Sequence, residues 1–310
     1  MKKTSETIVF FGSGPVAANS LELLHQSFTI EAVVTKPRPE HYHGQLPVQS
    51  VAEKLGLTLV EAADKKQLSA KIKSSTFKSR VGVLIDFGII VAQDVIDSFP
   101  LGIVNSHFSL LPDWRGPDPI TFAILSGQAV TGVSLMLLVE KMDKGPILAQ
   151  ATYDLDPDET AISLTSNLIE LSYDLLETIL PDYLESKIEP LPQSIAGPAI
   201  SGISQATYSR KLTKDDGQID WLKPATQTER EIRAFIEWPK CHTQIWGQEV
   251  IITKAKVVDA TGNPAGQVQI QDKALIVSCG KQALQILNLK PAGKTEMSAM
   301  AFLAGHQQKS

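Results

Sequence analysis

The sequence predicts an α/β fold with a mostly parallel sheet, followed by a small β-barrel domain. Three observations lead to this prediction. Up to about residue 154, short apolar runs alternate with segments of helical periodicity, which is typical of a parallel sheet covered by helices. Prolines and glycines then interrupt residues 189–206, as in a linker. Beyond that stretch, short alternating segments follow at the spacing of a small barrel.

The elements of the first part follow from apolar runs and periodicity. A helix is predicted up to Gly56, because a glycine suits the C-terminal stop. Another begins at Asp118, which can cap, and Pro119 suits the first helical position. The predicted strands are Ile8 to Phe11, Glu31 to Thr35, Val81 to Asp86, Gly102 to His107 and Val133 to Val139. A further apolar stripe predicts a core-facing helix and consists of Leu164, Leu168, Leu171, Leu175 and Ile179.

The remaining sequence predicts a second domain. One helix is expected from Ala225 to Ile236, followed by strands from Val250 to Val257, Gln267 to Ile270 and Leu284 to Leu289. The predicted domain bounds are 1–189 for the first domain, 190–207 for the linker and 208–310 for the second domain.

Composition limits the classes of protein that the chain can belong to. With 310 residues, 43% of them hydrophobic, it can bury two cores. The N-terminal apolar run is too short for a signal peptide, and no run is long enough to span a membrane. Cys241 and Cys279 lie far apart and form no metal or redox spacing, so we expect a reducing, cytoplasmic setting. Residues 190–310 carry 14 Lys and Arg against 10 Asp and Glu, a weak indication of a polyanionic partner.

Three polar residues have the chemistry of acyl transfer. Asn105 and His107 alternate on one predicted strand, so their side chains share a face. Asp143 follows the next predicted strand. An amide, an imidazole and a carboxylate can hold a carbonyl, stabilise its oxyanion and manage a proton without a serine or cysteine nucleophile. Any one of them alone would more often satisfy local backbone groups, but together they indicate a site.

Two other motifs are weaker indications of function. Gly12 and Gly14 occupy the place of a nucleotide-binding turn, but no acidic residue ends the second strand to hold a ribose. A tight, closely packed turn is therefore preferred over NAD binding. His41 and His43 lack a third ligand nearby in sequence, so we expect a polar loop and no metal site.

Linked motifs along the whole chain resemble the folate-dependent formyltransferases. The resemblance is closest to the members that act on methionyl-tRNA, and it covers nearly the whole chain. It implies a Rossmann-like formyltransferase domain followed by an OB-like barrel that binds tRNA. The motifs are Asn105-Ser-His107, Ser109-Leu-Leu-Pro112, Trp114-Arg-Gly116 and Asp143-Lys-Gly-Pro-Ile, then Lys211-Leu212, Ile219-Asp220-Trp221, Trp238-Pro239 and Lys290-Pro-Ala-Gly-Lys294.

The resemblance also implies a donor and a role for each site residue. The donor is 10-formyltetrahydrofolate, and no metal is needed. Asn105 and His107 would stabilise the oxyanion formed when the acceptor amine attacks the formyl carbon, and Asp143 would orient the histidine. The folate would lie along two segments whose backbone groups form hydrogen bonds with the edge of the pterin ring. Their residues are Phe87, Gly88, Ile89, Ile90, Ser109, Leu110, Leu111 and Pro112.

The expected acceptor and partner is methionyl initiator tRNA, and two alternatives stay open. One is the same chemistry on an amino sugar nucleotide, and the other is a catalytically silent nucleic-acid-binding homologue. The C-terminal motifs favour the tRNA, and the intact triad argues against a silent protein. Departures from the family pattern concern the acceptor: the loop from Thr35 to Pro47 is short, and Asp113 and Pro117-Asp118 add negative charge or stiffness beside the expected acceptor channel.

Overall fold

The computed structural model describes residues 6–41, 44–196, 205–260 and 262–307. The chain divides into two compact units. The first comprises Met1–Pro119, Val130–Asp154 and Thr165–Ser209, and the second comprises Ile120–Ala129, Leu155–Leu164 and Arg210–Ser310. Within the described ranges, no helix combines the length and the apolar composition that a membrane crossing requires.

A seven-stranded sheet organises the first unit. Its strands are β1 Thr7–Phe11, β2 Thr29–Thr35, β3 Leu59–Glu61, β4 Gly82–Leu84, β5 Ile103–His107, β6 Val130–Leu137 and β7 Ile147–Asp154. Their spatial order is β3-β2-β1-β4-β5-β6-β7. The first five run parallel, and β6 and β7 are antiparallel additions. The prediction of a mostly parallel α/β sheet is confirmed.

The central strands β1 and β4 are almost entirely apolar and buried, as is typical of a parallel sheet that is covered on both faces. A buried cluster includes Val9, Phe11, Leu84 and Ile103 from three adjacent strands. The ring of Phe87 packs edge-on against Phe11 with the centroids 5.6 Å apart. This cluster includes Phe11 and Leu84 at the carboxyl ends of β1 and β4, the edge where ligands bind in open α/β sheets.

The helices begin and end where local chemistry dictates. Pro15 opens the first helix, and the Asp64 side chain caps another by accepting the Gln67 N–H at 2.9 Å. The predicted stop at Gly56 is confirmed, with φ at +65°. The helices are α1 Pro15–Ser27, α2 Pro47–Lys54, α3 Lys65–Ser74, α4 Gln93–Ile96, α5 Pro119–Ser126, α6 Ala161–Leu184 and α7 Gln193–Ala196.

Two predictions about these elements were wrong in detail. The strand predicted up to Asp86 ends at Leu84, because Asp86 adopts a left-handed conformation with φ at +47°. On α6, the predicted Leu171, Leu175 and Ile179 are only partly buried. The fully buried stripe after Leu168 instead repeats every four residues and consists of Ser172, Leu176 and Leu180. A polar Ser172 interrupts that stripe in the sequence and hides its register.

The second unit is built on an antiparallel sheet. Its strands are β8 His242–Ile245, β9 Gln248–Val258, β10 Val268–Gln271, β11 Ala274–Ser278, β12 Ala283–Pro291 and β13 Met297–Ser298, with helices α8 Ala225–Ala234 and α9 Ala299–Gln307. The order is β10-β11-β12-β9-β8, and β13 pairs with β12. The long β9 and β12 shift register near Asn288, which increases twist and curls the sheet. The predicted small barrel-like domain is confirmed.

Candidate active site

Asn105 and His107 lie at the carboxyl end of β5, in the middle of the sheet. On one side β4 pairs Leu84 with Asn105, and on the other β6 pairs Met136 with Asn105. Both polar side chains are almost enclosed, with Asn105 8% and His107 7% exposed. Asn105 is therefore held by pairing on both sides, and His107, which β6 pairs with Ser134, extends beyond the end of β4 on the same face of the sheet.

The Asn105 carboxamide is the open group of this frame. Within the described residues it makes no hydrogen bond, so its two N–H donors are available to a ligand. The neighbouring Ser106 points to the opposite face, and its hydroxyl shares a 2.7 Å hydrogen bond with Ser172 of α6. On β5, the hydrogen-bonded Ser106 therefore faces the core, and the Asn105 amide, which makes no hydrogen bond in the described residues, faces the site.

Two acceptors face the His107 ring. Its Nε2 lies 3.0 Å from the Trp114 carbonyl oxygen, and its Nδ1 lies 3.9 Å from Oδ1 of Asp143. The Trp114 carbonyl lies within hydrogen-bonding distance of one ring nitrogen, and the Asp143 carboxylate lies beside the other. These two neighbours hold the ring in one orientation.

Asp143 is held by the backbone of a neighbouring loop. Its Oδ2 accepts the Gly116 N–H at 2.7 Å, which leaves Oδ1 turned to His107. Gly116 has φ at +116°, and a Cβ there would lie 2.7 Å from the Ser209 carbonyl oxygen, so only glycine fits. Of the sequence-predicted triad, Asp143 thus lies beside His107, and Asn105 lies two residues before His107 on the same face of β5.

The predicted folate segment from Ser109 to Pro112 follows β5 as a tightly bonded turn. The Ser134 hydroxyl donates to the Ser109 carbonyl at 2.6 Å and accepts the Leu111 N–H at 2.9 Å. Gln150 donates to the Leu111 carbonyl at 2.9 Å. Ser109, Leu110 and Leu111 are buried, and Pro112 keeps surface. The turn is therefore a preformed shape whose outer edge, at Pro112, is accessible.

The second predicted folate segment combines one buried anchor with an exposed edge. Phe87 is a core residue, and its carbonyl accepts the Ser13 hydroxyl at 2.8 Å. Gly88 is exposed with φ at +64°, and the Lys36 ammonium lies 2.9 Å from where its Cβ would be. Ile89 is partly buried, and Ile90 is 65% exposed. The accessible part of this segment therefore runs from Gly88 to Ile90.

The turn after β1 is closed by Asp86. The Ser13 and Gly14 N–H groups donate to the Asp86 carbonyl, and the Ala17 N–H donates to its carboxylate. A Cβ at Gly14 would lie 1.9 Å from the Asp86 carboxylate. These contacts occupy the amides that a dinucleotide pyrophosphate would need, which supports the interpretation of Gly12 and Gly14 as a packing turn.

The Asp86 carboxylate is itself perturbed. Protein atoms crowd it and raise its pKa from 3.8 to about 6, and the Lys36 ammonium and the Ala17 N–H oppose that shift. The residue nevertheless keeps contact with solvent.

Other sequence-predicted positions lie elsewhere. His43 is outside the described residues, and His41 is exposed. Among the described residues, no three His, Cys, Asp or Glu side chains converge as metal ligands would. Asp113 is buried, and its N–H donates to the Leu110 carbonyl at 3.0 Å. Its expected charge at an acceptor channel is therefore shielded, whereas Pro117 is exposed.

Sequence reasoning missed three supporting residues. Ser134 and Gln150 are paired across β6 and β7, and polar side chains at such enclosed strand positions were the available signal. Gln193 was included in the predicted linker, but it is buried against the Asp143 loop. Leu191, from the same stretch, exchanges backbone hydrogen bonds with Ile147. No periodicity marks these residues, because short irregular segments carry none.

Comparison with known proteins identifies the family. A family model described as formyl transferase matches residues 7–180, and one described as formyl transferase, C-terminal domain, matches residues 211–307. The methionyl-tRNA formyltransferase of Chloroflexus aurantiacus is 39% identical over 306 residues, covering 96% of each chain. That of Myxococcus xanthus is 33% identical over 304 residues, covering 97% of this chain and 95% of its own.

A solved structure supports the fold. The N-formyltransferase from Helicobacter canadensis, in complex with folinic acid and dTDP-3-aminofucose, has a TM-score of 0.65 at 18% identity. The match covers 91% of this chain and 99% of that one. Because the two family models together account for most of both units, and the relatives match over nearly their full length, the chain belongs to the formyl transferase family.

Proposed function

We propose that the chain transfers the formyl group of 10-formyltetrahydrofolate to the amino group of methionyl initiator tRNA. The observation that carries this proposal is the Asn105 carboxamide, which has no hydrogen-bond partner in the described part of the chain and lies on the same strand face as the His107 ring beside Asp143. The full-length relatives named methionyl-tRNA formyltransferase support the same acceptor. Both cysteines are free and buried, which is compatible with a reducing cytoplasm as the site of the reaction.

The proposed mechanism needs no covalent enzyme intermediate. The acceptor amine attacks the formyl carbon, and negative charge develops on the formyl oxygen. When this tetrahedral species collapses, the bond between the formyl carbon and the folate nitrogen breaks, the proton lost by the amine is transferred to that nitrogen, and tetrahydrofolate leaves. Asn105 donates an amide N–H to the formyl oxygen, and His107 donates a ring N–H. Asp143 lies beside the ring, keeps its orientation and stabilises positive charge that develops on it during the reaction. A preorganised donor of this kind contributes about a hundred-fold to a thousand-fold in rate.

We further propose that the pterin lies along the exposed edges of the two segments, 87–90 and 109–112. Gly88 has no side chain where a planar ring would approach, and the nearest atom is the flexible end of Lys36. The buried members, Phe87, Ser109, Leu110 and Leu111, would act by fixing the backbone shape. The bound folate would supply the activated formyl carbon.

We propose that residues 1–189 form the catalytic domain and that residues 208–310 form a tRNA-binding domain, with residues 190–207 as the linker. The second unit has a surface suited to RNA. A groove of about 790 Å³ in the second unit is lined by three exposed lysines, Lys214, Lys240 and Lys290, and by the ring of Trp221. Lysines beside an aromatic ring are typical of single-stranded nucleic-acid contacts. Glu249 is the acidic residue in the lining.

The groove is tested by the salt dependence of tRNA binding. Replacing Lys240 or Lys290 by Ala is expected to lower the slope of log affinity against log salt by about 1 for each phosphate that the variant no longer neutralises. Lys256→Ala removes an equally exposed lysine on β9 outside the groove and should leave the slope unchanged. Equal slopes in all three variants would argue against this groove.

The acceptor is tested by supplying it in separate reactions. Purified protein and 10-formyltetrahydrofolate are incubated with charged initiator tRNA or with an amino sugar nucleotide, and tetrahydrofolate release and formylation of the acceptor are followed. We expect release with the charged tRNA. Tetrahydrofolate release with the amino sugar nucleotide but not with the charged tRNA would indicate that the sugar nucleotide is the acceptor. Binding of tRNA without release under any condition would indicate the catalytically silent homologue.

A further inference from the structure

Gln193, at the start of α7, has a fully hydrogen-bonded side chain. Its Nε2 donates to the Asp143 carbonyl at 2.8 Å and to the Gly145 carbonyl at 2.9 Å. Its Oε1 accepts from Arg115, with Nη2 at 2.6 Å and Nε at 3.2 Å. The residue is 7% exposed. Both N–H groups and both lone pairs of the carboxamide are therefore used, which fixes its orientation.

The partners of Gln193 belong to the two loops that hold the catalytic pair. The Trp114–Gly116 loop contributes the carbonyl that faces His107 and the N–H that holds Asp143. The Asp143–Gly145 loop contributes the carboxylate. Gln193 bonds to Arg115 in the first loop and to two carbonyls in the second. It therefore links the loops at a second point, beside the contact between Gly116 and Asp143.

The conformation of Asp143 explains why this link matters. Asp143 has φ at +50°, a left-handed conformation that costs about 1–2 kcal/mol for a residue with a side chain. Such a conformation persists only where the surrounding structure enforces it. The carbonyl that accepts from Gln193 belongs to the peptide immediately after this strained residue. Without that donor, the peptide can rotate and carry the carboxylate away from His107.

We propose that Gln193 is a positioning residue for formyl transfer, because its carboxamide joins Arg115 to the carbonyls of Asp143 and Gly145 and so sets the geometry between Asp143 and His107. The effect on catalysis rests on the function proposed above. The geometric effect on His107 does not. Gln193 itself touches no reacting atom.

Two substitutions separate positioning from general stability. Gln193→Glu keeps the size and the acceptor for Arg115, but the ionised carboxylate repels the two carbonyls. Gln193→Met keeps the volume and removes all four hydrogen bonds. In both, kcat is expected to fall about ten-fold to a hundred-fold, since a small misplacement of a catalytic group costs that much. The KM for the folate donor should change less than about three-fold, because the folate segments are not bonded to Gln193.

The matched control is Ser79→Ala. Ser79 is also buried in the first unit, and its hydroxyl lies 2.8 Å from the backbone carbonyl oxygens of both Thr7 and Val81, so its single proton can be donated to either. It lies at the amino end of the sheet, opposite the site. Ser79→Ala should lower the melting temperature and leave kcat unchanged. A matching fall of kcat in this control would reduce Gln193 to a structural residue.

A pH profile gives a readout that a purely structural role would not move. When the introduced glutamate of Gln193→Glu is protonated, it can again donate one hydrogen bond to a carbonyl. The activity of Gln193→Glu relative to the unmutated enzyme should therefore rise as the pH falls, whereas that of Gln193→Met should not. Parallel profiles for the two variants would contradict the proposal.

The deciding measurement is ¹⁵N NMR of the His107 ring in the unmutated protein, Gln193→Glu and Ser79→Ala. We expect the His107 nitrogen shifts to change in Gln193→Glu and not in Ser79→Ala, and unchanged shifts would overturn the inference. If neither Gln193 variant folds, exchange of the Gln193 side-chain amide protons in the unmutated protein decides: slow exchange supports the link, and fast exchange overturns it. Failure of the unmutated protein to transfer formyl would refute the proposed function separately.

Discussion

Two neighbouring groups at the carboxyl edge of the parallel sheet differ in how completely they are hydrogen-bonded. At the end of β1, the Ser13 and Gly14 N–H groups both donate to Asp86, and the Ser13 hydroxyl donates to Phe87. At the end of β5, the Asn105 carboxamide is unpaired among the described residues, and His107 approaches Asp143 only to 3.9 Å. The same edge thus carries one closed cluster and one open cluster.

The difference indicates what each cluster does. In the closed cluster, the Ser13 and Gly14 donors are already hydrogen-bonded within the fold. They can therefore fix the backbone of the neighbouring Gly88 segment, but they are not available to bind a ligand. An open cluster keeps side-chain donors that make no hydrogen bond within the described residues, so these donors are available to a ligand. We therefore interpret the motif that resembles a nucleotide-binding turn as scaffold, and we propose that β5, the strand beside β4 in the sheet, carries the chemistry.

The largest effect is expected from Asp143→Asn. The amide can still accept the Gly116 N–H, but it places no negative charge beside His107, so the ring loses the carboxylate that orients it and stabilises charge developing on it. We expect kcat to fall about a thousand-fold, with folate affinity nearly unchanged. Steady-state kinetics and a folate titration measure both. Asp94→Asn, which neutralises a carboxylate paired with Lys73 at 2.9 Å, is the matched control and should keep full activity.

Gly88→Leu tests the shaped segment beside the closed cluster. The side chain would fill the surface where the pterin is proposed to lie and strain a residue with φ at +64°. We expect folate affinity to fall about ten-fold, because the pterin would bury less surface and the backbone would be strained. Gly56→Leu carries the same strain at φ +65° in open space and is the control. Unchanged affinity in Gly88→Leu would remove this residue from the folate site.

The smallest effect is expected from Asp86→Asn, which keeps an acceptor for the Ala17 N–H and removes the ionisation. The pKa of Asp86 is raised to about 6 in the fold. The contribution of Asp86 to the free energy of unfolding is therefore fully present below about pH 4 and is lost as the pH rises through 6. The variant should match the unmutated protein near pH 4 and gain about 1 kcal/mol at pH 7.5, a value reduced for solvent screening. Denaturant unfolding at both pH values measures this. Equal stability of Asp86→Asn and the unmutated protein at pH 7.5 would show that burial does not destabilise the ionised carboxylate.

The sequence was most informative where a regular pattern or a known motif exists. The continuous apolar runs of β1 and β2 and the stop at Gly56 were predicted correctly, because burial on both faces and glycine conformation leave direct signatures. The order of motifs around Asn105 and Asp143 indicated the formyl transferase family, which the two family models confirm. Local chemistry was therefore sufficient for the family and for the candidate triad.

The rest depends on contacts between distant segments. Nothing near Gln193 in sequence indicates that it bonds to a loop fifty residues earlier. The burial of Ser172 on α6 follows from Ser106 on β5, so the helix register could not be read from apolar residues alone. The closure of the first turn by Asp86 depends on a left-handed backbone that ends β4 early. Such long-range pairings are set by the packing of the whole unit.

The most direct test of the open cluster compares two neighbours on β5. Asn105→Ala removes the free donor, and Ser106→Ala removes a hydroxyl that is bonded only in the core, so the pair separates catalysis from stability. In single-turnover formyl transfer at saturating folate and charged tRNA, Asn105→Ala should be about a hundred-fold to a thousand-fold slower, and Ser106→Ala should match the unmutated enzyme. An Asn105→Ala rate within about three-fold of the unmutated rate would contradict the assignment of this cluster as the catalytic site.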